Sequence, residues 1–98
     1  MVMVEIFKAL SNKSRLQILE WLKNPSAHFP YQADEFADGV CVGQIQKKAG
    51  LTQSTISEYL STLQRVGLVS DTRKGQWTYY KRSEETFKLL SQHIKSAI

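Results

Sequence analysis

The chain has 98 residues, 42% of them apolar, and carries a formal net charge of +4. That length suits one domain with one small core, and that composition excludes a wholly disordered chain. A lone cysteine, Cys41, excludes an intrachain disulfide framework and suits a reducing compartment. No apolar run is long enough to cross a bilayer, and the opening MVMVEIFKAL, with Glu5 inside it, is too short for a secretory signal, so a cytoplasmic location is expected.

Taken in order, residues 2–10 read as a short helix whose apolar stripe is Val2, Ile6 and Leu10, with Phe7 beside it. Ser14 is the expected cap of a second helix, Arg15 to Lys23, with Leu16, Ile18, Leu19 and Leu22 facing inward. Asn24-Pro25 ends it, because the residue before a proline is pushed out of helical geometry. The segment 24–39 reads as a loop insertion holding both prolines and three aromatics, Phe29, Tyr31 and Phe36. Those aromatics could cover the chain's own core, a partner subunit or a small ligand. Ordinary packing is the expectation.

Val42 to Lys48 then forms a helix with Val42, Ile45 and Ala49 inward and Lys47 and Lys48 outward. Gly50 supplies a left-handed turn, Leu51 plugs the corner, and Thr52 caps a longer helix with the buried stripe Ile56, Leu60 and Leu63. At 3.6 residues per turn, Ser54, Glu58, Ser61 and Arg65 fall on the opposite face, with Gln53, Thr55 and Ser57 around its start. Short hydroxyl and amide side chains at a helix N-terminus fit against base edges in a major groove. Gly67 ends the helix, and Leu68 to Thr72 and Gln76 to Lys81 read as two strands joined by a Lys74-Gly75 turn, with Arg73 and Lys74 at its tip. Ser83 caps a final helix, residues 84–98, whose stripe is Phe87, Leu90, Ile94 and Ile98.

The charge is unevenly spread. Val40 to Arg82 carries seven basic side chains against two acidic ones, whereas residues 1–39 carry four against five and residues 83–98 carry two of each. A localised positive field concentrates polyanions, and nucleic acid is the obvious one. The DNA-contacting set expected on these grounds is Thr52, Gln53, Ser54, Thr55, Ser57, Glu58, Ser61, Arg65, Arg73, Lys74 and Gln76. Glu58 has two readings: it accepts a hydrogen bond from a cytosine amino group, or it turns aside and pairs with Arg65 or a nearby lysine. Tyr59, at the edge of the buried stripe, is expected to pack rather than to touch bases.

This order of parts resembles the ArsR/SmtB family of winged-helix bacterial repressors over nearly all the chain except residues 24–39. Phe7-Lys8-Ala9-Leu10 followed by Ser14-Arg15-Leu16 is similar to the family's opening helix pair. Leu51 to Leu60 is similar to its recognition helix, and Leu63 to Val69 followed by Arg73-Lys74-Gly75-Gln76-Trp77 to its entry into the wing. The resemblance implies a mainly α fold of five helices and a two-stranded wing, and a homodimer that binds palindromic double-stranded operators. It also implies pairing through the terminal helices, here by Val2, Ile6, Phe7, Leu10, Phe87, Leu90 and Ile94. The apolar stripes of those helices exceed what one small core needs, which points the same way.

Metal-sensing members carry Cys-Val-Cys where this chain has Cys41-Val42-Gly43, followed by Gln44. One thiolate cannot chelate, and the last helix offers only His93, so no metal and no cofactor is expected. His93 is expected to be solvated, Cys41 to be a buried structural residue, and an effector, where one exists, to be a small organic molecule near the loop aromatics. No catalytic constellation stands out, which argues against an enzyme. The rival reading is a winged-helix module for protein contact without specific DNA binding.

Overall fold

A computed structural model describes residues 2–30, 32 and 35–98; Tyr31, one of the three loop aromatics, lies outside the described residues. The elements run α1 (Met3–Leu10), α2 (Lys13–Lys23), α3 (Pro25–His28), β1 (Val40–Cys41), α4 (Val42–Ala49), α5 (Gln53–Arg65), β2 (Val69–Lys74), β3 (Trp77–Arg82) and α6 (Glu84–Ala97). This is the expected helical architecture with a winged β element, enlarged by two short pieces. One is α3, a single turn begun by Pro25, which suits a first helical position because its missing N–H would be unpaired there anyway. The other is β1, two residues that pair antiparallel with β3 (Val40 with Tyr80, Cys41 with Tyr79) and make the sheet three-stranded in the order β1-β3-β2. Two residues are too few to show a period-two pattern, which is why the strand was not expected.

One core joins these elements. Ile18, Ile45, Ile56, Leu60, Leu63 and Leu68 have essentially no exposed surface, and Ile6, Ala9, Leu19, Leu22, Phe29, Val40, Val69 and Leu90 complete it. Removing one such side chain typically costs about 2–5 kcal/mol, lost transfer energy plus the cavity left behind. Leu16, expected to face inward, is 50% exposed. The buried stripe of α2 is Ile18, Leu19 and Leu22, and Leu16 lies off it. Its cap also differs from expectation. Asn12 rather than Ser14 is the N-cap, its Oδ1 accepting from the Arg15 N–H at 2.9 Å, so the helix starts earlier, at Lys13.

The two ends of α5 are fixed by local chemistry. Thr52 is extended and its hydroxyl accepts from the Thr55 N–H at 3.2 Å. At the other end, Gly67 adopts φ +80°, the Gly67 N–H bonds to the Gln64 carbonyl and the Leu68 N–H to the Leu63 carbonyl, both at 3.0 Å. This is the paired Schellman closure, and Leu63 and Leu68, both wholly buried, supply the apolar contact that accompanies it. Gly50 is left-handed at φ +67°, as the turn between α4 and α5 requires.

The wing differs from expectation by one residue. Lys74 faces Trp77 in the ladder, so the two-residue connection is Gly75-Gln76, not Lys74-Gly75. Gly75, at φ +61°, occupies the first central position, the place a type II′ hairpin turn reserves for glycine. Lys74 is therefore the last residue of β2, and Gln76 stands at the tip.

Candidate nucleic-acid interface

α5 presents two faces. Ile56, Leu60 and Leu63 are buried to the last atom, while Gln53, Ser54, Ser57, Glu58, Ser61 and Arg65 are exposed. The hydroxyls nearest the helix start are bonded to one another. Thr52 Oγ1 donates to Thr55 Oγ1 at 2.9 Å and lies 3.3 Å from Ser54 Oγ. Thr55 is accordingly half-buried, and Thr52 and Thr55 hold the helix start in shape. The side chains of Gln53, Ser57, Glu58, Ser61 and Arg65 make no hydrogen bond or ion pair among the described residues, which leaves their donors and acceptors available to an outside ligand. Neither Arg65 nor a lysine pairs with Glu58. Tyr59 packs against the core, with the Arg15 guanidinium 5.6 Å from its ring centroid.

Arg15 is a connector that sequence reading did not single out. Its Nε donates to the Ala9 carbonyl at 2.6 Å, and an Nη donates at 3.2 Å to the Lys8 carbonyl, which also accepts the Ser11 N–H, so the end of α1 is closed by Arg15 together with its own cap. It thereby ties α1, α2 and α5 together. A second connector is Gln64, whose Nε2 donates to Asp71 Oδ1 at 2.8 Å. That bond fastens the last turn of α5 to strand β2, so the wing is held at a set distance from the helix. Single-sequence patterns carry no signal for either contact, since both partners read as ordinary surface residues.

The basic excess divides by role. Arg65, Arg73, Lys47 and Lys81 are exposed, as is Gln76. Lys48 lies across Trp21 and Phe29, 5.3 and 5.8 Å from their ring centroids. Arg82 is directed inward, with a side chain only 11% exposed. It stacks 3.7 Å over Phe87, pairs with Glu84 and donates to the Leu19 carbonyl at 3.4 Å. Lys74 forms an ion pair with Asp38 of the 24–39 segment. Phe29 and Phe36 of that segment pack: Phe29 meets Trp21 edge-on at 6.3 Å and Phe36 at 6.5 Å.

The terminal helices divide as well. Ile6 and Leu90 are consumed by the core, and Phe7, Leu10 and Phe87 are half-buried against it. Apolar surface remains on Val2 (65% exposed), Val4, Leu89, Ile94 and Ile98 (85% exposed). A groove of about 480 Å³ runs between α1, the end of α5 and α6, lined by Val2, Glu5, Ile6, Arg65, Val66, Thr86 and Leu89. Cys41, expected to be buried, is only half-buried, whereas its neighbour Val40 in β1 is fully covered. His93 is exposed on α6. Among the described residues no three His, Cys, Asp or Glu side chains converge as a metal-ligand set, and no helix is long and apolar enough to cross a membrane.

The family profile described as "Bacterial regulatory protein, arsR family" matches residues 39–71, the span from Gly39 through α4, α5 and the start of β2. The chain is 53% identical over 97 residues to an uncharacterised HTH-type transcriptional regulator of Bacillus subtilis, YbzH, covering 97% of each chain. It is 31% identical over 78 residues to the transcriptional repressor SdpR of the same organism, covering 80% of this chain and 72% of SdpR. Its fold matches the homodimeric winged helix-turn-helix DNA-binding domain of a possible ArsR-family transcriptional regulator from Mycobacterium bovis, with a TM-score of 0.66 at 28% identity over 96% of this chain and 76% of that one. Fold, helix order and sequence agree: the chain belongs to the ArsR family of winged helix-turn-helix transcriptional regulators.

Proposed function

We propose that this protein is a homodimeric, sequence-specific DNA-binding repressor of the cytoplasm that reads a palindromic operator with α5 and grips phosphates with its wings. The observation that carries this reading is the outer edge of α5. Gln53, Ser57, Glu58, Ser61 and Arg65 stand exposed on a helix whose geometry is fixed at both ends, and none has a partner within the protomer among the described residues. A rigid helix with unspent short polar groups is what base-edge recognition requires, since side chains already bonded at home must be released before they can bind bases. Arg73 and Gln76 flank it from the wing, and Arg65 continues the edge.

The dimer is proposed through α1 and α6, by way of Val2, Phe7, Leu10, Phe87 and Ile94, joined by Val4 and Leu89, which the structure leaves exposed. Ile6 and Leu90 support that face from beneath rather than forming it. A two-fold pair sets two copies of α5 about one duplex turn apart, the half-site spacing of helix-turn-helix dimers. SdpR, a relative named as a repressor, supports the sign of regulation. A small organic effector is proposed at the loop aromatics, where Ser26, Phe29, Gln32, Glu35 and Phe36 line a space of about 510 Å³. No catalytic role is proposed.

Selection of bound duplexes from a random pool tests the proposal. Recovery of a two-fold symmetric sequence supports it. Recovery of no preferred sequence, with the protein folded and binding weakly to all duplexes alike, favours a protein-contact module instead.

A further inference from the structure

We infer that Asp38 sets the DNA affinity of this regulator by holding the wing lysine, Lys74, in an intramolecular ion pair that a phosphate must displace. The inference rests on the DNA-binding reading above. Lys74 ends β2 beside the wing tip, and its Nζ is paired with Asp38 Oδ2 while both side chains keep some exposure to solvent. The acid is brought there by a built segment. Phe36 packs on Phe29, which packs on Trp21, so the stretch just before Asp38 is fastened to the core by rings.

Glu35 and Phe36 both adopt left-handed backbone, φ +53° and +62°, a conformation that side chains with a Cβ seldom take and that persists only where surrounding contacts impose it. The Gly39 N–H then donates to the Phe36 carbonyl at 2.9 Å, and Gly39 lies so close to β3 that an added Cβ would sit 2.1 Å from the Tyr80 carbonyl oxygen. Asp38 is thus delivered to the wing between two anchors, the aromatic packing on one side and the β1–β3 pairing on the other.

A carboxylate oxygen on an ammonium is the same contact that a phosphate oxygen makes. In the free protein the wing lysine is therefore already occupied. On DNA it exchanges one oxyanion for another, and the released carboxylate is left beside the phosphates, where like charges repel. Each effect lowers sequence-independent affinity, and neither touches base readout. Asp38→Asn keeps the size and removes the charge, so it is expected to bind more tightly.

The test is a titration of wild type, Asp38→Asn, Lys74→Ala and the double variant against a mixed-sequence duplex roughly three helical turns long, at several salt concentrations. Asp38→Asn is expected to bind about threefold to tenfold tighter than wild type, a range set by loss of the partly exposed Asp38–Lys74 pair in each wing plus the relieved repulsion. On the Lys74→Ala background the same change is expected to lose most of its effect, because the residue it acts through is gone. Unchanged or weaker binding by Asp38→Asn overturns the inference, since Asp38 would then be idle or would orient Lys74 for phosphate. An equal gain with and without Lys74 also overturns it, by showing a general field effect rather than a paired lysine. Failure of the folded wild type to bind any duplex overturns instead the DNA-binding reading on which the inference rests.

Discussion

Replacing Gly39 by alanine asks the structure for something it cannot supply. The residue sits at φ +102°, outside the region that L side chains occupy, and strain of that kind costs about 1–3 kcal/mol. The new Cβ would lie 2.1 Å from the Tyr80 oxygen and 2.4 Å from its carbonyl carbon, both backbone atoms that cannot rotate aside. β1 must then retreat from β3 by roughly an ångström, which strains the antiparallel ladder at Val40–Tyr80 and Cys41–Tyr79, where each hydrogen bond lost costs about 1 kcal/mol. Together these give a loss of about 3–5 kcal/mol, a large share of the roughly 5–15 kcal/mol available to a domain of this size. Four residues on, Gly43→Ala meets nothing within 4 Å inside α4, and alanine is expected to stabilise by up to about 1 kcal/mol through helix propensity. Thermal melts at one fixed protein concentration, which matters for a dimer, measure both. The expected outcome is a fall on the order of 15 °C for Gly39→Ala and a small rise for Gly43→Ala. A Gly39→Ala variant that melts within a few degrees of wild type refutes the claim that this glycine seats β1 on the wing.

Arg73→Ala is expected to weaken binding to every duplex alike and to make the slope of log affinity against log salt shallower by about 1.8 for two wings, read from titrations across a salt series. An unchanged slope removes Arg73 from the phosphate contacts. Thr52→Ala deletes the cap of α5 and should cost about 1 kcal/mol in denaturant unfolding while also weakening DNA binding, because Thr55 and Ser54 lose their hydroxyl partner. Burial, and secondarily the negative charge of Asp71, raise the Tyr80 phenol above its ordinary value of 10.0. The neutral phenol is thus favoured in the folded state, so its contribution is intact below the unfolded value and is lost as pH climbs through the folded one. Unfolding measured across alkaline pH should show this decline in wild type and less of it in Tyr80→Phe.

Much of the fold was readable because its signals are local. Ile56, Leu60 and Leu63 recur at helical spacing, and Thr52, Gly50, Gly67 and Ser83 stand where caps and left-handed turns need them. The wing turn slipped by one residue because the pattern places a glycine in the turn without saying at which central position, and a type II′ turn needs it first. What remained illegible depends on residues distant in sequence. Val40 pairs with Tyr80, Asp38 with Lys74, Arg82 with the Leu19 carbonyl, and Gln64 with Asp71. Arg82 counted as one more cation on a basic surface until the fold turned it onto Phe87. Leu16 read as core because its neighbours are, yet its position on α2 lies outside the buried stripe. The exposed edge of α5 was visible as a pattern of small polar residues; that Thr52 and Thr55 are spent on each other was not.

The most direct measurement repeats the selection of bound duplexes with Gln53→Ala and with Ser57→Ala beside the wild type. The recovered sites are predicted to change at matching positions in both half-sites while their spacing and the salt dependence of binding stay the same. Identical sites from all three proteins would contradict the assignment of the outer edge of α5 as the surface that reads sequence.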